Sequence, residues 1–298
     1  MSSVHSKDGT TIGYTSRGRG PGLILIQGAL GTAHSYRDLA AALADSFTVH
    51  TPDRRGRGMS PLAFSGSHCI ERDVEDIAAL SDATGASLLF GLSSGAVIAL
   101  TGALRLPQIQ AVAVYEPPFY YEKGIDHALV RRFHGEIDAR EWVASMTTAG
   151  EIVKLAPLPV RLLPRMVRER LTASLMQRLA GGAGYASPEE LLPAMRYDFA
   201  VVGEMSQQIE RFRSLGRPVL LLGGTRGPSY LKAALGELSR ILPRASRTTL
   251  SGLDHSGPWN SERGGSPLRV AEAISRFLLQ HPHSLVASKG EARSLRDA

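Results

Sequence analysis

Gly91-Leu92-Ser93-Ser94-Gly95 stands between an apolar, strand-like run, Ser87–Phe90, and a stretch of small helix-forming residues, Ala96–Leu104. The order strand, G-x-S-x-G, helix describes a sharp turn whose central serine is pushed out of the backbone. Such a turn is strained, and glycines two before and two after the serine leave room for the neighbouring backbone to close in. A chance Gly/Ser turn in a chain with 31 glycines is the alternative. It accounts for the residues but not for their place between a strand and a helix. Ser93 is therefore the candidate nucleophile.

Outward from this segment, short apolar runs alternate with amphipathic stretches, the pattern of a parallel sheet with crossover helices. Strands are expected at Thr11–Thr15, Gly22–Ile26, Phe47–Thr51, Ser87–Phe90, Gln110–Tyr115, Arg217–Leu222 and Arg247–Leu250. Helices are expected at Tyr36–Ala44, Val74–Thr84, Ala96–Leu104, Tyr230–Ile241 and Leu268–Leu279. The alternation stops between Phe119 and Leu215, where helices are broken by Pro157, Pro159, Pro164 and Gly181-Gly182-Ala183-Gly184. About 95 residues are too many for a loop, so this stretch reads as a subdomain over the ligand crevice. The division expected is a core over residues 1–118 and 216–280, a helical cap over 119–215, and a polar, disordered tail over 281–298.

With these elements in order, the chain from about Thr11 to Leu279 resembles the α/β-hydrolase family. The resemblance implies an α/β-hydrolase fold, a mostly parallel central sheet flanked by helices, with the helical cap inserted after strand six. It also implies an oxyanion hole made by the amide after the nucleophile and one from the loop after the first long strand. Here those are the amide of Ser94 and an amide of Gln27-Gly28-Ala29, from Gly28 or Ala29; Gln27 stands where the family usually has His. Turn chemistry alone also accounts for Gly28. Asp53-Arg54-Arg55-Gly56-Arg57-Gly58-Met59-Ser60 looks like the family's D-x-R-G-x-G-x-S loop and is read as a structural wall of the cleft.

The family places its base in the loop after the last strand, which singles out His255 in Ser251-Gly252-Leu253-Asp254-His255-Ser256 from nine histidines. A surface histidine in a Gly-rich turn is the alternative. Asp254 is next to His255 in sequence, so its side chain is expected to point away from the imidazole. The acid departs from the usual pattern. The loop Leu222-Gly223-Gly224-Thr225-Arg226-Gly227-Pro228-Ser229 has Gly227 where the family's strand-seven Asp would stand, and no carboxylate lies between Leu215 and Glu237. Glu116, in Val114-Tyr115-Glu116-Pro117-Pro118 at the end of strand six, is the candidate; a strand-end acid in a salt bridge is the alternative. Asp126 and Glu122 are runners-up. Gly-x-Ser-Ser-Gly, then Glu-x-Pro, then a strand-seven loop without Asp is similar to the fungal zearalenone-lactonase group.

Composition narrows the classes. The 298 residues are 43% apolar and 21% charged, which excludes collagen, coiled-coil arrays and wholesale disorder. The single cysteine, Cys69, excludes an intramolecular disulfide framework and is read as inert. The net charge is +6, but the arginines are scattered among acids without interleaved aromatics, so no nucleic-acid partner is expected. No apolar run approaches the ~20 residues of a membrane helix and no signal-like segment opens the chain, so a cytoplasmic protein is expected. No H-E-x-x-H motif or His/Asp cluster suggests a metal, and no G-x-G-x-x-G follows the first strand, so neither metal nor cofactor is expected. An Asp nucleophile, as in dehalogenases of this fold, would have to stand where Ser93 does.

Phe119, Tyr120, Tyr121, Phe133, Trp142, Tyr197 and Phe199 either line an apolar pocket or form cap core. The candidate pocket residues are Leu30, Trp142, Tyr197 and Trp259. The expected activity is hydrolysis of an ester or lactone of a small, largely apolar substrate, through Ser93, His255 and Glu116. A C–C bond hydrolase, a non-hydrolytic biosynthetic enzyme, and a decayed ligand-binding protein on the same fold are the alternatives. The expected partner is a small-molecule substrate, and a homodimer is left open.

Overall fold

Side chains alternate across a strand, so a run that is apolar at every position must be covered on both faces. In the computed structural model, which describes residues 1–120 and 124–281, that is what happens to the apolar runs. Tyr121, Glu122 and residues 282–298 of the expected tail lie outside the described residues. The strands are β1 (Ser2–His5), β2 (Thr11–Gly18), β3 (Gly22–Ile26), β4 (Thr48–Pro52), β5 (Leu88–Leu92), β6 (Ala111–Tyr115), β7 (Val219–Gly224) and β8 (Ala245–Leu250). They form one sheet in the order β1-β2-β4-β3-β5-β6-β7-β8. The β1/β2 and β2/β4 pairs are antiparallel and the rest are parallel.

The helices are α1 (Arg37–Leu43), α2 (Ile70–Thr84), α3 (Ser94–Arg105), α4 (His127–Asp138), α5 (Trp142–Val153), α6 (Leu158–Arg161), α7 (Arg165–Leu179), α8 (Pro188–Leu191), α9 (Met195–Met205), α10 (Ser229–Ile241) and α11 (Pro267–Leu278). Ile24, Ile26, Leu89, Val112, Val114 and Leu221 pack on one face of the sheet with α2, α3 and α10. Their neighbours Leu23, Leu25, Phe90, Ala113, Leu220 and Leu222 pack on the other with α1 and α11. In α11 the buried Val270, Ala271, Ile274, Phe277 and Leu278 recur at helical spacing, which lays one stripe on the sheet.

One element carried no signal in the sequence. β1 is an exposed edge strand, held through its register Ser2↔Tyr14 to His5↔Thr11 with β2. A strand with little to bury shows little apolar pattern. Elsewhere the differences are at the ends: β2 runs on to Gly18, α2 begins at Ile70, and α1 is preceded by a 3-10 turn over Ala33–Tyr36.

Helices α4 to α9 lie between β6 and β7 and enclose their own apolar cluster around Phe133, Ile152, Leu192, Met195 and Phe199. Two of the prolines that interrupt the alternation, Pro157 and Pro164, stand at helix starts. Asp126 caps α4 by accepting from the amides of Ala128 and Leu129, Pro157 precedes α6, and Pro164 precedes α7. No helix among the described residues is long and apolar enough to cross a membrane.

Buried ions tie this helical segment to the sheet. Asp198 of α9 receives Arg54 Nη1 on Oδ1 at 2.6 Å and Arg57 Nη2 on Oδ2. Both arginines come from the loop after β4, and all three side chains are buried. Arg54 also reaches Asp73 Oδ1 of α2 at 3.2 Å, and His68 Nε2 lies 2.6 Å from Asp73 Oδ2. Burial pushes the Asp73 carboxyl up, but Arg54 and the His68 hydrogen bond outweigh it and bring the pKa down to about 2. Removing one member of such a cluster leaves a charge in a medium that cannot solvate it.

A folded-state pKa below the unfolded one (~3.9) adds stability above that value, lost as pH falls toward the folded pKa. Asp73→Asn should therefore lower the unfolding free energy at pH 7 by about 3 kcal/mol. The gap to wild type should close between about pH 4 and pH 2. Urea titrations at stepped pH test this; a constant gap would show that the charge of Asp73 does not stabilise the fold.

Candidate active site

Ser93 joins β5 to α3 with φ +56° and ψ −126°, a region that side-chain-bearing residues rarely occupy. The surrounding contacts explain the flanking glycines. A Cβ on Gly91 would lie 2.2 Å from the carbonyl oxygen of Gly95, and one on Gly95 would lie 2.4 Å from that of Ile26. The elbow therefore packs directly on the end of β3. The Ser93 amide donates to Tyr115 O at 3.0 Å, which ties the turn to β6. Ser94 is the first residue of α3, where amides have no partner within the helix and the helix dipole favours negative charge.

The loop after β3 faces the elbow at close range: a Cβ on Gly28 would sit 2.9 Å from Ser93 Cβ. Arg57 Nη1 donates to Gly28 O at 2.7 Å and to Gly31 O at 3.1 Å. In a trans peptide the carbonyl and the next amide point in opposite directions. Holding Gly28 O on a buried guanidinium thus turns the Ala29 N–H away from Arg57. Gln27, in the place of the family's usual His, donates from Nε2 to Pro52 O at 2.8 Å and is wholly buried.

His255 lies in the loop after β8. Its Nδ1 is 2.8 Å from Glu116 Oε2. A carboxylate can only accept, so in the neutral imidazole it is Nδ1 that carries the proton and Nε2 that keeps its lone pair. Glu116 Oε1 accepts from the Gly224 amide at 2.9 Å, and the residue is fully buried with φ +47°. The histidine loop is fixed from both sides. Tyr115 Oη donates to Asp254 O at 2.7 Å, and Arg226 N donates to Leu253 O at 2.9 Å. Asp254 Oδ1 accepts from Ser256 N and Oγ, so its carboxylate caps a turn instead of meeting the imidazole. Asp126, a runner-up for the acid, caps α4 instead.

Gly227 acquires a steric reason. A Cβ there would lie 2.3 Å from Glu116 Oε1. The Glu116 carboxylate fills the room that a side chain on the strand-seven loop would need.

Ser93 and His255 both line a cavity of about 490 Å³ between the sheet edge and the helical segment. Gly28, Ala29 and Ser94 line it too, with Glu116 behind His255. No hydrogen bond of 3.5 Å or less joins Ser93 to His255 among the described residues. Hydrogen bonds between a nucleophile and its base often tighten only in the complex with substrate. The remaining wall is mostly apolar. Leu30 and Trp259 lie in it, and so do Ile152, Val153, Met195, Phe199 and the stacked pair Tyr120 and Tyr230. Burial raises the pKa of both phenols. Tyr230 Oη donates to Val153 O at 2.7 Å, which ties α10 to the end of α5.

Two expected pocket residues are elsewhere. Tyr197 packs edge-on against Phe64 and His68 and donates to Leu62 O at 3.3 Å, outside the cavity. Trp142 opens α5 and packs against the apolar cluster of the helical segment. On helices, both aromatics follow the face that meets their neighbours, and that face is not turned to Ser93. Sequence reasoning missed Asp198 and Tyr230. Asp198 lines the cavity, and Ser94 Oγ donates to its Oδ1 at 2.6 Å. Nothing local marks either residue, because their partners are far away in the chain. Among the described residues no cluster of His, Cys, Asp and Glu could hold a metal ion.

Comparison with known proteins agrees with this architecture. Residues 23–273 match the model of the alpha/beta hydrolase family. The chain is 25% identical over 251 residues to a 2-(acetamidomethylene)succinate hydrolase of Mesorhizobium japonicum, covering 82% of this chain and 85% of that one. It is 26% identical over 278 residues to a pimeloyl-[acyl-carrier protein] methyl ester esterase of Xanthomonas campestris, covering 89% and 98%. An alpha/beta hydrolase from Sphaerobacter thermophilus superposes with a TM-score of 0.75 at 29% identity, covering 92% of this chain and all of that one. With the match spanning both halves of the sheet and the helices between them, the chain belongs to the alpha/beta hydrolase family.

Proposed function

We propose that the protein is a cofactor-free serine hydrolase that cleaves a carboxylic ester or lactone of a largely apolar substrate through Ser93, His255 and Glu116. The observation that carries this reading is the 2.8 Å contact of Glu116 Oε2 with His255 Nδ1, in a site where His255 and the strained Ser93 face one cavity.

The chemistry follows from the groups in place. His255 Nε2 takes the proton of Ser93 Oγ as that oxygen attacks the carbonyl carbon. Glu116 holds the tautomer that makes this direction of transfer available and stabilises the imidazolium that results. The oxyanion is met by the N–H of Ser94 at the start of α3 and by that of Ala29, which Arg57 turns away from itself through Gly28 O. Each such donor is worth about 10²–10³ in rate. His255 returns the proton to the leaving alkoxide, and the acyl group stays on Ser93. Water activated by the same Nε2 then releases the acid; a lactone opens in the same two steps and gives a single product. Two relatives, a succinate-derivative hydrolase and a methyl ester esterase, fit a hydrolytic reading.

Fluorophosphonate labelling read by peptide mass spectrometry should place one adduct on Ser93, and His255→Ala should abolish it. A folded protein that takes no label would overturn the serine-hydrolase reading. Glu116→Gln keeps an acceptor for the Gly224 amide and should lower kcat by about 10²–10⁴ without lowering the melting temperature. A near-normal rate would remove Glu116 from the mechanism. Gly227→Asp alone should be destabilising, since its Cβ would lie 2.3 Å from Glu116 Oε1. In a Glu116→Ala background it should instead restore at least tenfold of the lost rate; no recovery would show that the two positions cannot exchange the acid.

A further inference from the structure

Beside the cavity that holds Ser93 lies a second one, of about 670 Å³, between α5, α6 and α7. The two share Leu30, Val153, Leu155 and Met195 as lining residues, so the same four apolar side chains form the wall between them. Beyond that wall the second cavity continues along Gly150 of α5, Leu158 of α6, and Leu171 and Leu175 of α7. These leucines are exposed, 60% for Leu158, 49% for Leu171 and 43% for Leu175. A helical segment with a closed core of its own has no packing reason to leave them so. The backbone is thinned at the same place: a Cβ on Gly150 would meet nothing within 4 Å. The lining is mostly apolar; its polar members are Thr147, Thr172, Arg161, Arg168 and Glu151, the last paired with Arg165 and with Arg168.

We infer that this groove is an extension of the substrate site that binds a long aliphatic chain, passing from the Ser93 cavity between Leu155 and Met195 and along Gly150 toward Leu175. This deepens the proposed function, on which its catalytic meaning rests, by naming a chain-bearing ester as the substrate class. The occupant follows from the apolar wall shared with the cavity at Ser93 and from the mostly apolar lining beyond it: an extended methylene chain needs apolar contact on its flanks and no hydrogen bonds. Each methylene buried is worth ~0.8 kcal/mol, which is about fourfold in affinity.

The test is binding, independent of turnover. Isothermal titration calorimetry of hexanoate, octanoate, decanoate and dodecanoate should show affinity rising by about fourfold per methylene, until the groove is full. Gly150→Leu, which fills the groove from a helical position with open space around it, should flatten the series beyond octanoate. Leu171→Glu, at an exposed site that will not disturb folding, should weaken dodecanoate by at least tenfold more than hexanoate. Flat affinity across the series in the wild type, or slopes untouched by both variants, would overturn the inference. So would a dimer in sedimentation that Leu171→Glu dissociates alongside a flat series, since a second copy would then be the occupant. Hydrolysis of p-nitrophenyl esters of the same acids separates the two readings. Chain-dependent binding without hydrolysis of any ester would keep the groove and remove the hydrolase, and hydrolysis indifferent to chain length would do the reverse.

Discussion

Two guanidinium groups shut away from water decide where the helical segment can sit. Arg54 and Arg57 leave the loop after β4 pointing inward, and a buried cation is tolerable only beside an anion. Asp198 on α9 supplies that anion for both, while Asp73 on α2 shares Arg54. The same groups reach the chemistry: Arg57 orients the peptide that follows Gly28, and Asp198 holds the hydroxyl of Ser94. The seating of α9 and the donors around Ser93 are therefore one arrangement. Lifting α9 off the sheet would strip Asp198 from two cations in a low-dielectric setting, so substrate traffic must rely on side-chain movement at the rim more than on a swing of the whole segment.

What was legible in the sequence follows what is local. The alternation of apolar runs and amphipathic stretches marks strands and helices because each period reflects the face that one element buries. Ser93 was legible because strain at one residue needs glycines at fixed offsets. Glu116 was singled out through the family resemblance, because the strand-seven loop has no carboxylate where the family usually has one, and Gly227 has a steric counterpart in the Glu116 side chain. Asp198 was illegible, because an aspartate in an amphipathic helix reads as solvent-facing until the arginines about 140 positions earlier are seen beside it. Trp142 and Tyr197 show the converse: a large aromatic reports burial but not which cavity or core buries it.

The wall chemistry of the site fits this division. Groups that act on bonds come from strand ends, where the backbone is held by the sheet and tolerances are small. Groups that surround the substrate come mostly from α5, α9 and the connections beside them, packed by the helical segment's own cluster. That is why hydrolase family membership could be read with more resolution than substrate shape.

The crowding of Glu116 against Gly227 also bears on how such a site changes over generations. Under the proposed function, an aspartate at 227 cannot come first, because its Cβ would intrude on the resident Glu116 carboxylate. Nor can the glutamate be discarded first without passing through a form whose histidine has no counter-charge. Under that reading each single exchange costs the site either its room or its counter-charge, and only the two together keep both.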